Sequence, residues 1–345
     1  MDMEAYIFEN DIVGVQVAQA LLECSSRGVC VRLLVDGFGS YSFASTLGLT
    51  LGAGGVLIRE YHPLPWNFSR LWDDIAGHSF LGKFSYLVSR VNKRNHRKLV
   101  IIDGQRAWVG SVNIAASHLS KAHGGSGWID TAACVEGAPV GILRDAFENL
   151  WMRRRPKKIG HLSDFVSLPV RLNDLRIKRR ALYRDLLRRI RQAKERVWIA
   201  NSYFVPERRL LYALSYAASR GVDVRVMVPA KADVFFIPWF SAQFYDHLLS
   251  SGVKVFEYQD GVLHTKTMLI DSWVLVGSSN LNHRSLLHDL EVDLVLSQPD
   301  SRQTIEDQFA SCFGKSHELK RGLWSKGRGL TRAISGFAFW LRYWM

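Results

Sequence analysis

Hydrophobic and polar positions along this chain switch between a period of two and a period near 3.6, and the order of the switches occurs twice. In the first half the apolar run Ala5–Phe8 predicts a strand. Val17, Leu21 and Leu22 sit at helical spacing and predict a helix over Val13–Ser26, which Gly28 is placed to close. Val29–Val35 and Gly55–Tyr61 predict two further strands, with a turn at Asp36–Ser40. The second half repeats the order: Ser202–Val205 corresponds to the opening strand and Ala213–Ser219 to the helix. Arg220–Val226 then corresponds to Arg27–Leu33, and Gly252–Tyr258 to Gly55–Tyr61. This strand–helix–strand order predicts an α/β fold of two similar halves, each a mostly parallel mixed sheet flanked by helices, with a site between them.

The halves differ at two places. Residues 62–95 have no counterpart in the second half. They carry Trp66, Phe68, Leu71 and Trp72, then Phe80, Phe84, Leu87 and Val91 on one helical face. The stretch reads equally as a helical lid packed on its own half or as an amphipathic segment at the rim of the site. The second half in turn opens on a basic helix, Ala181–Glu195, that leads into a strand at Val197–Ala200. A matching helix before residue 1 is the expectation, because an uncovered sheet face would expose apolar surface. These features divide the chain into a first half over 1–152, a basic linker over 153–180, a second half over 181–315 and a basic, aromatic tail over 316–345. In the tail Ile334, Phe337, Leu341 and Trp344 share one helical face, which suits an interfacial anchor or a terminal helix docked on the core.

Candidate chemistry lies in a second repeat. His96-Arg97-Lys98 runs through an apolar stretch to Asp103 and is completed by Gly110-Ser111-Val112-Asn113. His264-Thr265-Lys266 runs likewise to Asp271 and is completed by Gly277-Ser278-Ser279-Asn280. Side chains alternate along a strand, so His96 and Lys98 share a face, as do His264 and Lys266. Asp103 and Asp271 fall at odd offsets, on the other face, and are expected to serve the turns that end their strands. Gly-Ser-x-Asn adds close backbone approach, a hydroxyl and an amide. A cationic Lys, neutral donors and an imidazole together suit a phosphate group. Two copies with matching completions make chance a poor account.

Composition narrows the partners. The 345-residue chain is 48% hydrophobic and carries a net charge of +13, so it can bury a full core and favours anionic partners, nucleic acid or an acidic membrane. Aromatic residues cluster with aliphatic ones and form no clear base-stacking motif, so nucleic acid is not expected. Four cysteines without C-x-x-C spacing point to a reduced compartment. No apolar run reaches the roughly 18 residues that would span a bilayer. There is no H-E-x-x-H and no paired Cys, and a Lys two residues from each His would repel a cation, so neither a metal nor another cofactor is expected. Protein partners leave no signal.

At these residues the chain resembles the phospholipase D superfamily, whose members carry two H-x-K-x4-D motifs, and within it the bacterial cardiolipin synthases. The likeness covers nearly the whole chain, including Asp36-Gly37-Phe38-Gly39-Ser40 and Tyr203-Phe204-Val205-Pro206. It implies one active site shared by the halves, with His96 as nucleophile and His264 as acid, a direction the residues themselves leave open. Lys98, Lys266, Asn113 and Asn280 would hold the phosphoryl oxygens, with Ser111 and Ser278 beside them. An acidic residue is implied after each Gly-Ser-x-Asn, and Asp130 and Glu291 match those places. The implied activity is a membrane-peripheral phosphatidyltransferase on the cytoplasmic side of the bacterial cell membrane. It would make cardiolipin from phosphatidylglycerol and a second phospholipid through a phosphohistidine. A phospholipase D-like hydrolase and a nuclease are the enzymatic alternatives; a catalytically dead lipid-binding protein is disfavoured because both motifs are intact.

Overall fold

A computed structural model of the protein describes residues 1–63, 93–156, 161–234 and 237–321. The first half runs β1 (Asp2–Ala5), α1 (Ile12–Ser26), β2 (Arg32–Asp36), α2 (Leu47–Ala53) and β3 (Leu57–Tyr61). It continues through β4 (Leu99–Ile102), β5 (Arg106–Gly110), β6 (Ala132–Glu136) and α3 (Ala138–Trp151). Its six-stranded sheet has the order β3-β2-β1-β4-β5-β6, with β1, β2 and β3 parallel and the remaining neighbours antiparallel.

The second half begins with α4 (Leu162–Ser167), β7 (Val170–Leu172) and α5 (Arg176–Gln192). Then come β8 (Arg196–Asn201), α6 (Arg208–Ser219), β9 (Asp223–Pro229), α7 (Ile237–Ala242), α8 (Tyr245–Ser250) and β10 (Lys254–Tyr258). β11 (Lys266–Ile270), β12 (Trp273–Gly277), α9 (His283–Leu287), β13 (Val292–Leu296), α10 (Pro299–Gly314) and β14 (Ser316–Glu318) complete it. The sheet order is β14-β10-β9-β8-β11-β12-β13-β7, and its inner six strands repeat the first sheet's arrangement. The halves are therefore two copies of one mixed α/β unit.

Several elements differ from the sequence reading. The opening strand is Asp2–Ala5 rather than Ala5–Phe8. Two acids hide it: Asp2 is neutralised by Arg32 at 2.6 Å and Glu4 by Arg97 at 2.8 Å, so both sit buried in the sheet. Phe8 lies beyond the strand, fully buried and bridged to Ile114. In the second half β8 likewise ends before Ser202. α2 has no strong sequence signal, since Gly48 and Gly52 lie within it. The basic helix starts at Arg176, not Ala181.

The span read as a basic linker, 153–180, carries α4, β7 and the start of α5. β7 pairs with β13 at the sheet edge, and Arg171 on it bonds Asp185 of α5 at 2.7 Å. Arg171 and Lys178 here answer specific acids, Asp185 and Asp174, which local composition cannot reveal. The tail's first residues form β14 on the edge strand β10. The aromatic part of the insert, 64–92, and the tail helix expected within 322–345 lie outside the described residues.

The two halves share a core. Leu99, Ile101, Val140, Leu143 and Phe147 of the first cluster with Val170, Leu172, Val292 and Leu294 of the second. That common core fixes one half against the other, which a site assembled from both requires. Among the described residues no helix is long and apolar enough to cross a membrane.

Candidate active site

Each motif enters the site just before an inner strand, β4 or β11. There the chain leaves its own sheet and bridges the opposite half. The His96 amide donates to the Leu290 carbonyl at 3.0 Å and the Leu290 amide to the Arg94 carbonyl at 2.8 Å; the His264 amide donates to Ile129 at 2.8 Å and Ile129 to Val262 at 2.9 Å. The residue after each bridge is an acid, Glu291 after Leu290 and Asp130 after Ile129. Each acid is thus delivered to the other half's histidine. His96 Nδ1 lies 2.9 Å from Glu291 Oε2, and His264 Nδ1 lies 2.7 Å from Asp130 Oδ1.

The serines of Gly-Ser-x-Asn hold those carboxylates. Ser111 Oγ donates to Asp130 at 2.6 Å and Ser278 Oγ to Glu291 at 2.5 Å. Two further contacts were not foreseen: Ser285 Oγ donates to Glu291, and His118 Nδ1 meets Asp130 Oδ2 at 2.6 Å. A signal for them existed, because each follows its motif Asn by five positions. The residue types differ, so no repeat was visible there. Tyr6 packs edge-on against His96 at 4.8 Å and Trp128 against His264 at 5.2 Å, which walls the two rings in.

Lys98 and Lys266 are both buried. Lys98 Nζ donates to the His96 carbonyl at 2.8 Å and Lys266 Nζ to the His264 carbonyl at 2.5 Å. Among the described residues neither ammonium forms an ion pair. Buried cations without a counter-ion are costly, and an anion between them relieves the cost. Burial, with Lys266 adding repulsion, brings Lys98 down to about 7, and burial brings Lys266 down to about 8.

Burial and then the charges of Lys98, Lys266 and Arg284 push His96 well below the ordinary imidazole value, which favours the neutral ring. Burial carries its partner Glu291 up to about 7, against the pull of Lys98. Burial and Lys266 take His264 down to about 3, with Asp130 opposing. For Asp130 burial acts upward, but the neighbouring His264 and His118 outweigh it and hold the carboxylate well below its usual range. The direction that geometry supports for this group is an ionised Asp130, since two ring nitrogens and a hydroxyl converge on it.

The Asn280 amide oxygen accepts from Ser202 Oγ at 2.9 Å, which leaves its NH2 for an incoming oxygen. Asn113 is buried, with its amide oxygen unpartnered among the described residues. Asp103 and Asp271 lie in the turns after β4 and β11, both in the left-handed region, at φ 53° and 51°. Asp103 is exposed, whereas Asp271 accepts the amides of Lys194, Glu195 and Arg196. Neither reaches the histidines. His118, Asp130 and His264 bring their ligand atoms within 4.8 Å of one another. The direct Nδ1-to-carboxylate bonds, with Lys266 acting on His264, make the trio a hydrogen-bonded chain.

This arrangement has known relatives. A family model described as "Cardiolipin synthase, PLD-like domain" matches residues 1–151 and 186–313. A Salmonella typhi protein named cardiolipin synthase B is 33% identical over 356 residues, covering 98% of this chain and 81% of that one. Its namesake in Escherichia coli K12 is 32% identical over 355 residues with the same coverage. The solved structure of a Haemophilus influenzae phosphatidylserine synthase superposes with a TM-score of 0.70 at 12% identity, over 99% of this chain and 89% of that one, a likeness of fold.

Proposed function

The chain belongs to the phospholipase D-like family that includes the cardiolipin synthases, and from that premise we propose a membrane-peripheral enzyme that makes cardiolipin from phosphatidylglycerol and a second phospholipid through a phosphohistidine. Phosphatidyl transfer between phospholipids is its class of activity. The observation that carries the finer reading is the crossed brace. Two buried imidazoles, each fixed by the other half's carboxylate, face two buried ammonium groups that form no ion pair among the described residues.

The lipid phosphodiester lies between Lys98 and Lys266, with Asn113 and Asn280 on its oxygens. Its single negative charge lies against both ammonium groups, favours their protonation and lessens their push on His264. His96 is neutral, and Glu291 holds Nδ1, so Nε2 presents its lone pair to phosphorus. As the N–P bond forms, the P–O bond to the departing alcohol breaks and His264 gives that oxygen its proton. Charge on the phosphoryl oxygens builds where the lysines already point. An incoming lipid hydroxyl then returns a proton to His264, attacks phosphorus and releases His96. Water in its place would give hydrolysis.

Product analysis on mixed vesicles of phosphatidylglycerol and a second phospholipid tests this. Cardiolipin with release of the head-group alcohol is expected. Phosphatidic acid as the sole product would make the enzyme a hydrolase. The +13 charge and the aromatic tail sequence support work at an anionic membrane surface.

A further inference from the structure

The carboxylates that brace the two histidines have matching surroundings in all but one contact. Glu291 takes two hydroxyls, from Ser278 and Ser285. Asp130 takes Ser111 in the place of Ser278, but in the place of Ser285 it takes a second imidazole, His118 Nδ1 at 2.6 Å. His264 Nδ1 holds the other oxygen at 2.7 Å, so two imidazoles share one carboxylate. Their rings stand 5.3 Å apart, and Trp128 packs against both. The His118 side chain is only 6% exposed, so its bond to Asp130 is sheltered from water. A hydroxyl suffices to hold a carboxylate, as Ser285 does; an imidazole adds a ring that can also carry a proton.

We propose that His118 is a positioning residue that, through Asp130, sets how readily His264 takes up and releases a proton. The inference rests on the acid–base role of His264 proposed above. While His118 is neutral, the charge of Asp130 supports an imidazolium at His264. When His118 takes a proton, that cation offsets Asp130, and His264 is left a weaker base beside Lys266. The two protonations oppose each other, so the chain carries one added proton at a time. Among the described residues Glu9, just ahead of α1, also acts on His118, while Asp11 beside it accepts the Ala116 amide two positions before that ring. On its own segment Lys121 is turned to Asp260 at 3.0 Å. Among the described residues Glu291 meets no second imidazole, which separates a titrating side at His264 from a fixed side at His96.

The test compares the full chain with His118→Gln, which keeps an N–H donor but cannot change charge, and His118→Phe, which keeps the ring shape alone. The pH profile of kcat/KM on a soluble short-chain phospholipid is read beside an NMR titration of ring-labelled histidines with glycerophosphoglycerol bound. His264 is assigned from His264→Gln. In His118→Gln the His264 titration and the matching limb of the profile should move up by about one pH unit, with kcat at the optimum within about tenfold. His118→Phe should show the same displacement with a larger loss of kcat. Loss of kcat with an unmoved limb, or an unmoved His264 titration, would make His118 a packing residue and overturn the proposal. The titration needs no turnover, so a protein inactive on phospholipid would refute the function while still deciding the role of His118.

Discussion

Glu291 is held to His96 at 2.9 Å across 195 positions of the chain, so the motif imidazole of the first half, the proposed nucleophile, is oriented by a carboxylate of the second. Asp130 repeats the relation toward His264 across 134 positions. Neither motif histidine finds its acid in its own half, and the core shared by the halves holds the exchange in register.

Removing the charge while keeping the shape should therefore disable each ring separately. Glu291→Gln and Asp130→Asn should each lower kcat by about 10²–10⁴-fold, with KM within about threefold, because ring orientation and proton affinity change while the lysines remain. Steady-state kinetics on a soluble phospholipid checks this. A loss confined to KM would place the acids in binding instead.

The histidines should separate by role. His96→Ala should abolish both turnover and any covalent intermediate. With a phospholipid analogue whose leaving group needs no protonation, His264→Ala should still accumulate phosphoenzyme, mapped by mass spectrometry to His96. A label on His264 would reverse the direction of attack.

Binding of a phosphodiester should weaken as pH rises. With Lys98 at about 7 and Lys266 at about 8, both are charged below pH 7, and both charges are lost as pH passes 8. Glycerophosphoglycerol keeps one charge throughout this range, so its dissociation constant by calorimetry should rise through that window. A flat profile would mean that neither ammonium is the anion's partner. Because the lysines carry this charge, a chelator should leave turnover unchanged.

Asp271 should matter to stability rather than to chemistry. Its carboxylate takes three amides at the start of β8, and Asp271→Ala should cost about 1–3 kcal/mol while kcat is retained. Burial acts upward on Asp271, but those amides outweigh it and hold the carboxyl below its usual value, so its contribution is present above about pH 4 and lost as pH falls through the depressed value. Denaturant unfolding of the two proteins at pH 7 and at acid pH checks both points.

Vesicle binding should need acidic lipid, weaken with salt and fall when residues 334–345 are deleted, while turnover of a short-chain monomeric phospholipid survives. Co-sedimentation beside soluble-substrate kinetics separates the two. Unchanged sedimentation would remove the tail from the membrane interface.

The sequence by itself determined the duplicated α/β unit, the histidine–lysine pairs and the turn positions of Asp103 and Asp271, because these follow from alternation along single strands and from short spacings. Asp2 and Glu4 could not be read as strand residues, since the arginines that neutralise them lie 30 and 93 positions away. β7 hid within a basic run for the same reason: its partners are β13 and Asp185. Only the tertiary structure decided which acid serves which histidine, and that His118 joins one of them. Hydrogen bonds between halves depend on how two packed sheets are offset, and no local pattern along the chain encodes that offset.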